Sequence, residues 1–135
     1  MKAIPTVQKY MTTLPHTVGK EQTLEAAKKM MKQHGIRHLP VLGGGELVGI
    51  LSERDIDYIL TFKDVDARSE KVEQAMTLEM FKVGINTPLD ELCQIMAEKK
   101  IGSALIEDNR KLVGIFTWVD ALKATSELLH TRLKS

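Results

Sequence analysis

Two short stretches place a hydroxyl three residues ahead of a carboxylate: Ser52 and Asp55 in "GILSERD" (49–55), and Thr117 and Asp120 in "GIFTWVD" (114–120). Each pair can do two kinds of work. As a capping box, the hydroxyl and the acid satisfy free amides at a helix start, and the acid meets the positive end of the helix dipole. As a ligand site, the helix N-terminus offers N–H groups to an anion, the hydroxyl adds a hydrogen bond, and the carboxylate accepts from a ribose diol. Gly49 and Gly114, ahead of each turn, would let a ligand approach the backbone. On residue type alone the cap is the commoner use of the pattern.

Other chemistry has little footing. His34 and His38 are four apart, but Gly35 should end the helix between them, and His16 and His130 lack a partner at ligand spacing, so no metal site is expected. Cys93 falls on the apolar stripe of a helix, as a core residue does. No acid–base pair or Walker-type glycine loop is present. No catalytic residue is assigned, and the chain is not expected to be an enzyme.

The two motifs are the ends of a unit written twice. At an offset of 65 residues Val7 falls on Val72, Met11-Thr12 on Met76-Thr77, Leu24 on Leu89, Ile36 on Ile101, Leu47-Val48-Gly49-Ile50 on Leu112-Val113-Gly114-Ile115, and Asp55 on Asp120, without a gap. The spacing predicts one helix in "QTLEAAKKMMKQHG" (22–35) and another in "NTPLDELCQIMAEKK" (86–100), the latter with Thr87 as N-cap and Pro88 at N1. Two strands follow in each copy, 38–42 and 46–51, then 103–107 and 111–116. A second helix comes next, roughly 54–63 and 118–133. Residues 1–65 make the first repeat and 66–135 the second, with 64–71 as a polar linker. Two copies are too few for a solenoid, so each is expected to cover the other's apolar side.

Composition bounds the partners. The chain has 135 residues, 43% hydrophobic and 27% charged, with a formal net charge of +1. That balance does not suggest a nucleic-acid partner. A single cysteine excludes an internal disulfide and fits a reducing compartment. No apolar run approaches the roughly 20 residues that span a bilayer, and the N-terminus lacks a signal-type apolar region, so a cytoplasmic protein is expected.

The order of elements, together with "YMT" and "AMT", "TLEAAKKMMKQHGIRHLPVL", "ELVGILSERDI" and "KLVGIFTWVDA", resembles a tandem pair of cystathionine-β-synthase (CBS) domains, a Bateman module. The resemblance covers nearly the whole chain. It implies an α/β (α+β) fold of two pseudo-twofold-related β-α-β-β-α repeats packed through their sheets and helices, with clefts between them that take adenosine-containing ligands. AMP, ADP, ATP, NAD and S-adenosylmethionine are the candidates, and none is expected as a tightly bound cofactor. It also implies a homodimer that regulates a separate protein, since the module nearly fills the chain. The rival reading is a dimerisation or docking module with empty clefts.

Carried over by position, the site would comprise Thr17, Arg37, His38, Ser52, Arg54 and Asp55 in the first copy, and Lys82, Thr117 and Asp120 in the second. Arg37 and His38 would face phosphates, Arg as a bidentate fork and His as a charge near neutral pH. The second copy has Gly102-Ser103 at these positions and Trp118-Val119 where the first has Glu53-Arg54, so the two sites should be unequal.

Overall fold

The computed structural model of the chain describes residues 3–13 and 16–133. It is a mixed α and β fold with two sheets. The chain divides into two compact units, one from His16–Met80 and the other from Met1–Pro15 together with Phe81–Ser135.

In the 16–80 unit, β2 (Val18–Gly19) runs parallel to β3 (His38–Gly43), which turns back antiparallel into β4 (Glu46–Ser52). Helix α1 (Leu24–His34) starts at Thr23, whose hydroxyl accepts from the Ala26 amide at 3.1 Å, and stops at Gly35 with a left-handed φ of 64°. Helix α2 (Glu53–Ile59) follows β4 directly. The core gathers Leu24, Ala27 and Met31 of α1, Leu39 and Val41 of β3, Leu51 of β4 and Ile56 of α2.

The other unit repeats the plan with β5 (Lys82–Gly84), α3 (Leu89–Lys99), β6 (Ser103–Asp108), β7 (Lys111–Thr117) and α4 (Trp118–Arg132). A further strand, β1 (Thr12–Thr13), pairs antiparallel with the edge of β7, giving the order β1-β7-β6-β5. The β6–β7 turn carries Asn109 and Arg110 at φ 51° and 65°, the left-handed pair of a tight hairpin.

The compact units depart from the sequence boundary at 65/66, because the leading segment of each copy belongs to the other copy's unit. Val7 is buried in the core of Leu89, Leu92 and Phe116, while its repeat mate Val72 is buried with Leu24 and Leu39. The backbone bonds match: the Val7 amide donates to the Thr87 carbonyl at 2.9 Å and the Val72 amide to the Gln22 carbonyl at 2.8 Å. Thr77 exchanges both backbone hydrogen bonds with Ile50 of β4, as β1 pairs with β7. The expected cap of α3 is displaced by one residue. Pro88, the counterpart of Thr23, takes the N-cap position without a side-chain bond to give, the Leu89 amide donates to the Pro5 carbonyl at 2.9 Å, and the Thr87 hydroxyl donates to the Gly84 carbonyl.

Gly49 and Gly114 answer to the same exchange. A Cβ on Gly114 would meet Met11 Sδ at 2.5 Å and the Thr12 carbonyl at 3.0 Å, and one on Gly49 would meet Met76 Sδ at 2.8 Å and the Thr77 carbonyl at 3.0 Å. The repeated glycines therefore admit the leading segment, not a ligand, which corrects the reading made from the sequence. Gly114→Ala is expected to cost about 1–3 kcal/mol by overpacking. Met11→Ala in the same chain should cost less than it does alone, because it vacates the contested space. Urea unfolding measures both, and a Gly114→Ala chain as stable as the wild type would refute the close packing.

Candidate functional site

The hydroxyl–carboxylate motifs are built as helix caps in both copies, and their free valences differ. Ser52 stands where β4 ends and α2 begins. Its Oγ accepts from the Asp55 amide at 3.0 Å, and its own amide donates to Asp55 Oδ2 at 3.0 Å. Among the described residues nothing bonds to Asp55 Oδ1, and the side chain is half-buried. Asp120, by contrast, is 9% exposed and engaged at both oxygens. Oδ2 accepts from the Thr117 amide at 2.9 Å and the Thr117 hydroxyl at 3.3 Å, while Oδ1 accepts from the Thr12 hydroxyl at 3.1 Å. Thr77, the repeat mate of Thr12, is exposed and makes no such bond to Asp55 among the described residues. One carboxylate has an oxygen to offer and the other does not.

His38 opens β3 directly across from Ser52. Burial pushes its pKa below the ordinary value of 6.5; Asp55 pulls in the opposite direction and Arg37 adds to the depression. The imidazole is thus neutral at pH 7, with one ring nitrogen donating and the other accepting. The expectation of a His38 charge near neutral pH is corrected, since desolvation outweighs the nearby carboxylate. Thr17 is half-buried just ahead of β2, the strand beside β3.

The remaining expected residues disperse. Arg54 is exposed in the first turn of α2. Arg37 is also exposed, and it lines a groove with Lys28, Lys29 and Lys32 of α1 that none of Thr17, His38, Ser52 or Asp55 touches. Lys82 lies 3.9 Å from Glu107 on the adjacent strand, a solvent-facing pair worth little energetically. Trp118 is 54% exposed, and its indole N–H donates to the Ile101 carbonyl at 2.7 Å, so the ring is held over the α3–β6 connection. His34 stacks on His16 with ring centroids 3.6 Å apart. No group of three or more metal-type ligands occurs among the described residues. Burial, then the Asp90 charge, pushes the Cys93 thiol up, which keeps it protonated. No helix among the described residues is long and apolar enough to cross a membrane.

Two sheets flanked by helices in duplicate, with a capped strand-to-helix turn at the same place in each copy, define a tandem-repeat α+β module. The family profile of the CBS domain matches residues 7–61 and 72–127, and the chain belongs to that family. The CBS domain-containing protein YhcV of Bacillus subtilis is 36% identical over 109 residues, covering 81% of this chain and 77% of that protein. The crystal structure of AcuB from Vibrio cholerae superposes with a TM-score of 0.88 at 29% identity over 98% of both chains. The CBS domain pair of protein MJ0100, solved in complex with 5′-methylthioadenosine and S-adenosyl-L-methionine, gives 0.82 at 26% identity, covering 93% of this chain and 98% of that one.

The neutral His38 sets a pH dependence. With the folded pKa below 6.5, the unfolded chain binds more protons on acidification, so stability is complete above about pH 6.5 and falls below it. Unfolding free energy measured by urea from pH 7 to 5 should decline more steeply for the wild type than for His38→Gln. Parallel curves would remove His38 as the cause.

Proposed function

We propose that the chain is a regulatory module that binds an adenosine-containing ligand at the 16–80 unit and signals to a separate protein. The carrying observation is the unengaged Oδ1 of Asp55 beside the neutral His38. A carboxylate oxygen with no protein donor accepts from a ribose hydroxyl, and a neutral imidazole can both donate and accept. Ser52, Thr17 and Arg54 surround that position in sequence and strand order, and the ligands of the MJ0100 pair, both adenosine derivatives, support the class. AMP, ADP, ATP, NAD and S-adenosylmethionine are the compounds to compare. In the other unit both oxygens of Asp120 are already engaged, so Thr117, Asp120 and the paired Lys82 are the weaker site.

A companion reading is a homodimer. Trp118, Leu122, Leu129 and Leu133 recur on one face at the end of the chain and are exposed, Leu122 at 70%. An apolar stripe of this kind is ordinarily covered by a partner. Light scattering at tens of micromolar should give twice the chain mass, and Leu122→Glu should return the monomer mass; a wild-type monomer would refute the dimer.

The ligand reading is tested by a thermal-shift panel of the five compounds. A ligand at 100 times its dissociation constant adds about 2.7 kcal/mol. Asp55→Asn keeps an oxygen for the Ser52 amide and turns its amide nitrogen to the free side. It should leave the unliganded melting temperature nearly unchanged and lower ligand affinity about tenfold or more. Asp120→Asn can keep its oxygen on the Thr117 amide and donate its NH2 to the Thr12 hydroxyl, so it loses only the charge on those bonds and should cost about 1 kcal/mol of stability with little effect on affinity. No shift with any compound, or unchanged affinity in Asp55→Asn, would overturn the assignment.

A further inference from the structure

The groove beside α1 has a chemistry of its own. It is a groove of about 650 Å³ open to solvent, of small-molecule size. Lys28, Lys29, Lys32 and Arg37 line it, against two carboxylates, Glu25 and Glu53. Ile36, Ala67 and the largely buried Met31 supply an apolar floor. Among the described residues the ion pairs are Arg68–Asp66 and Lys82–Glu107, so none of the four groove cations is paired. Lys28 and Lys32 are also four apart on one helix, where like charges repel.

The internal repeat shows that the fold does not require this charge. The counterparts of Lys28, Lys29, Lys32 and Arg37 are Cys93, Gln94, Ala97 and Gly102. The counterpart of Glu53 is Trp118, whose indole reaches the carbonyl of Ile101, the counterpart of Ile36. The same scaffold is thus covered by an aromatic ring in one copy and left open and cationic in the other.

We propose that this groove binds a small organic oligophosphate, at a site separate from Asp55. Arg37 can grip a phosphate with two parallel N–H donors while the lysines act as point charges. The apolar floor suits the organic body. Four cations less two carboxylates leave the lining at +2, and the whole chain at +1, which matches a compact anion better than a polynucleotide, whose affinity depends on many phosphate contacts.

The test is calorimetric titration of the full chain with tripolyphosphate, which carries the phosphate chemistry without adenosine. One site per chain is expected. Lys28→Ala/Lys32→Ala, two exposed positions where alanine favours the helix, should weaken binding about tenfold or more. Lys99→Ala/Lys123→Ala removes the same charge from the other unit and should leave affinity within about twofold. Asp55→Asn should not weaken tripolyphosphate, and Lys28→Ala/Lys32→Ala should not weaken AMP, so this site and the Asp55 site can each fail alone. Absence of tripolyphosphate binding, or equal losses in the two double variants, would overturn the proposal.

Discussion

The structure turns on the burial of one valine per copy in the core of the other copy's unit. Val7 and Val72 are both fully removed from solvent. Around each, the chain supplies backbone donors and acceptors that would otherwise be orphaned: the first amides of α1 and α3 go to the leading segments, and the edges of β4 and β7 are closed by Thr77 and by Thr12–Thr13. A free sheet edge and an uncapped helix start are both liabilities. The exchanged segments remove them together. That constraint fixes glycine at 49 and 114, where a methionine and a backbone carbonyl crowd the face of the strand.

The same constraint sets the chemistry of the two turns. Because Thr12 reaches Asp120, both oxygens of the second carboxylate are engaged within the fold and neither is free. Its mate Asp55 keeps one. Two copies of one motif thus yield one engaged and one open carboxylate, and the difference comes from a residue more than 100 positions away along the chain. His38 belongs to this balance as well. Its burial favours the neutral ring despite the Asp55 charge, so β3 opens with an uncharged polar group near that carboxylate, while positive charge collects in the α1 groove with Arg37.

Much of this was legible in the residues. The repeat, the hairpins and the Ser52–Asp55 cap follow from spacing and from turn and cap chemistry, because those forces act within a few residues. The helix starts and ends were less so. Thr87 reads as an N-cap, yet Pro88 holds that position and the Thr87 hydroxyl turns back to the Gly84 carbonyl. Gly49 and Gly114 read as an opening for a ligand, because nothing local shows a methionine arriving from the other repeat. The unequal oxygens of Asp55 and Asp120 were invisible for the same reason. The lysines of α1 could have been singled out, since their counterparts on α3 are uncharged, but a lysine-rich helix face ordinarily signifies only solvation.

The exchange also imposes an order on synthesis. The 16–80 unit is contiguous and has all its strands, helices and Val72 once residue 80 has left the ribosome. The other unit has its first strand at Thr12 and the aspartate that binds it at position 120, a separation of 108 residues. Closing so long a loop carries an entropic cost that local contacts do not. Val7 and Met11, made more than 100 residues before Asp120, therefore wait without their partners until α4 is complete. An apolar segment is left without its core during that interval, while the 16–80 unit already has every residue of its own.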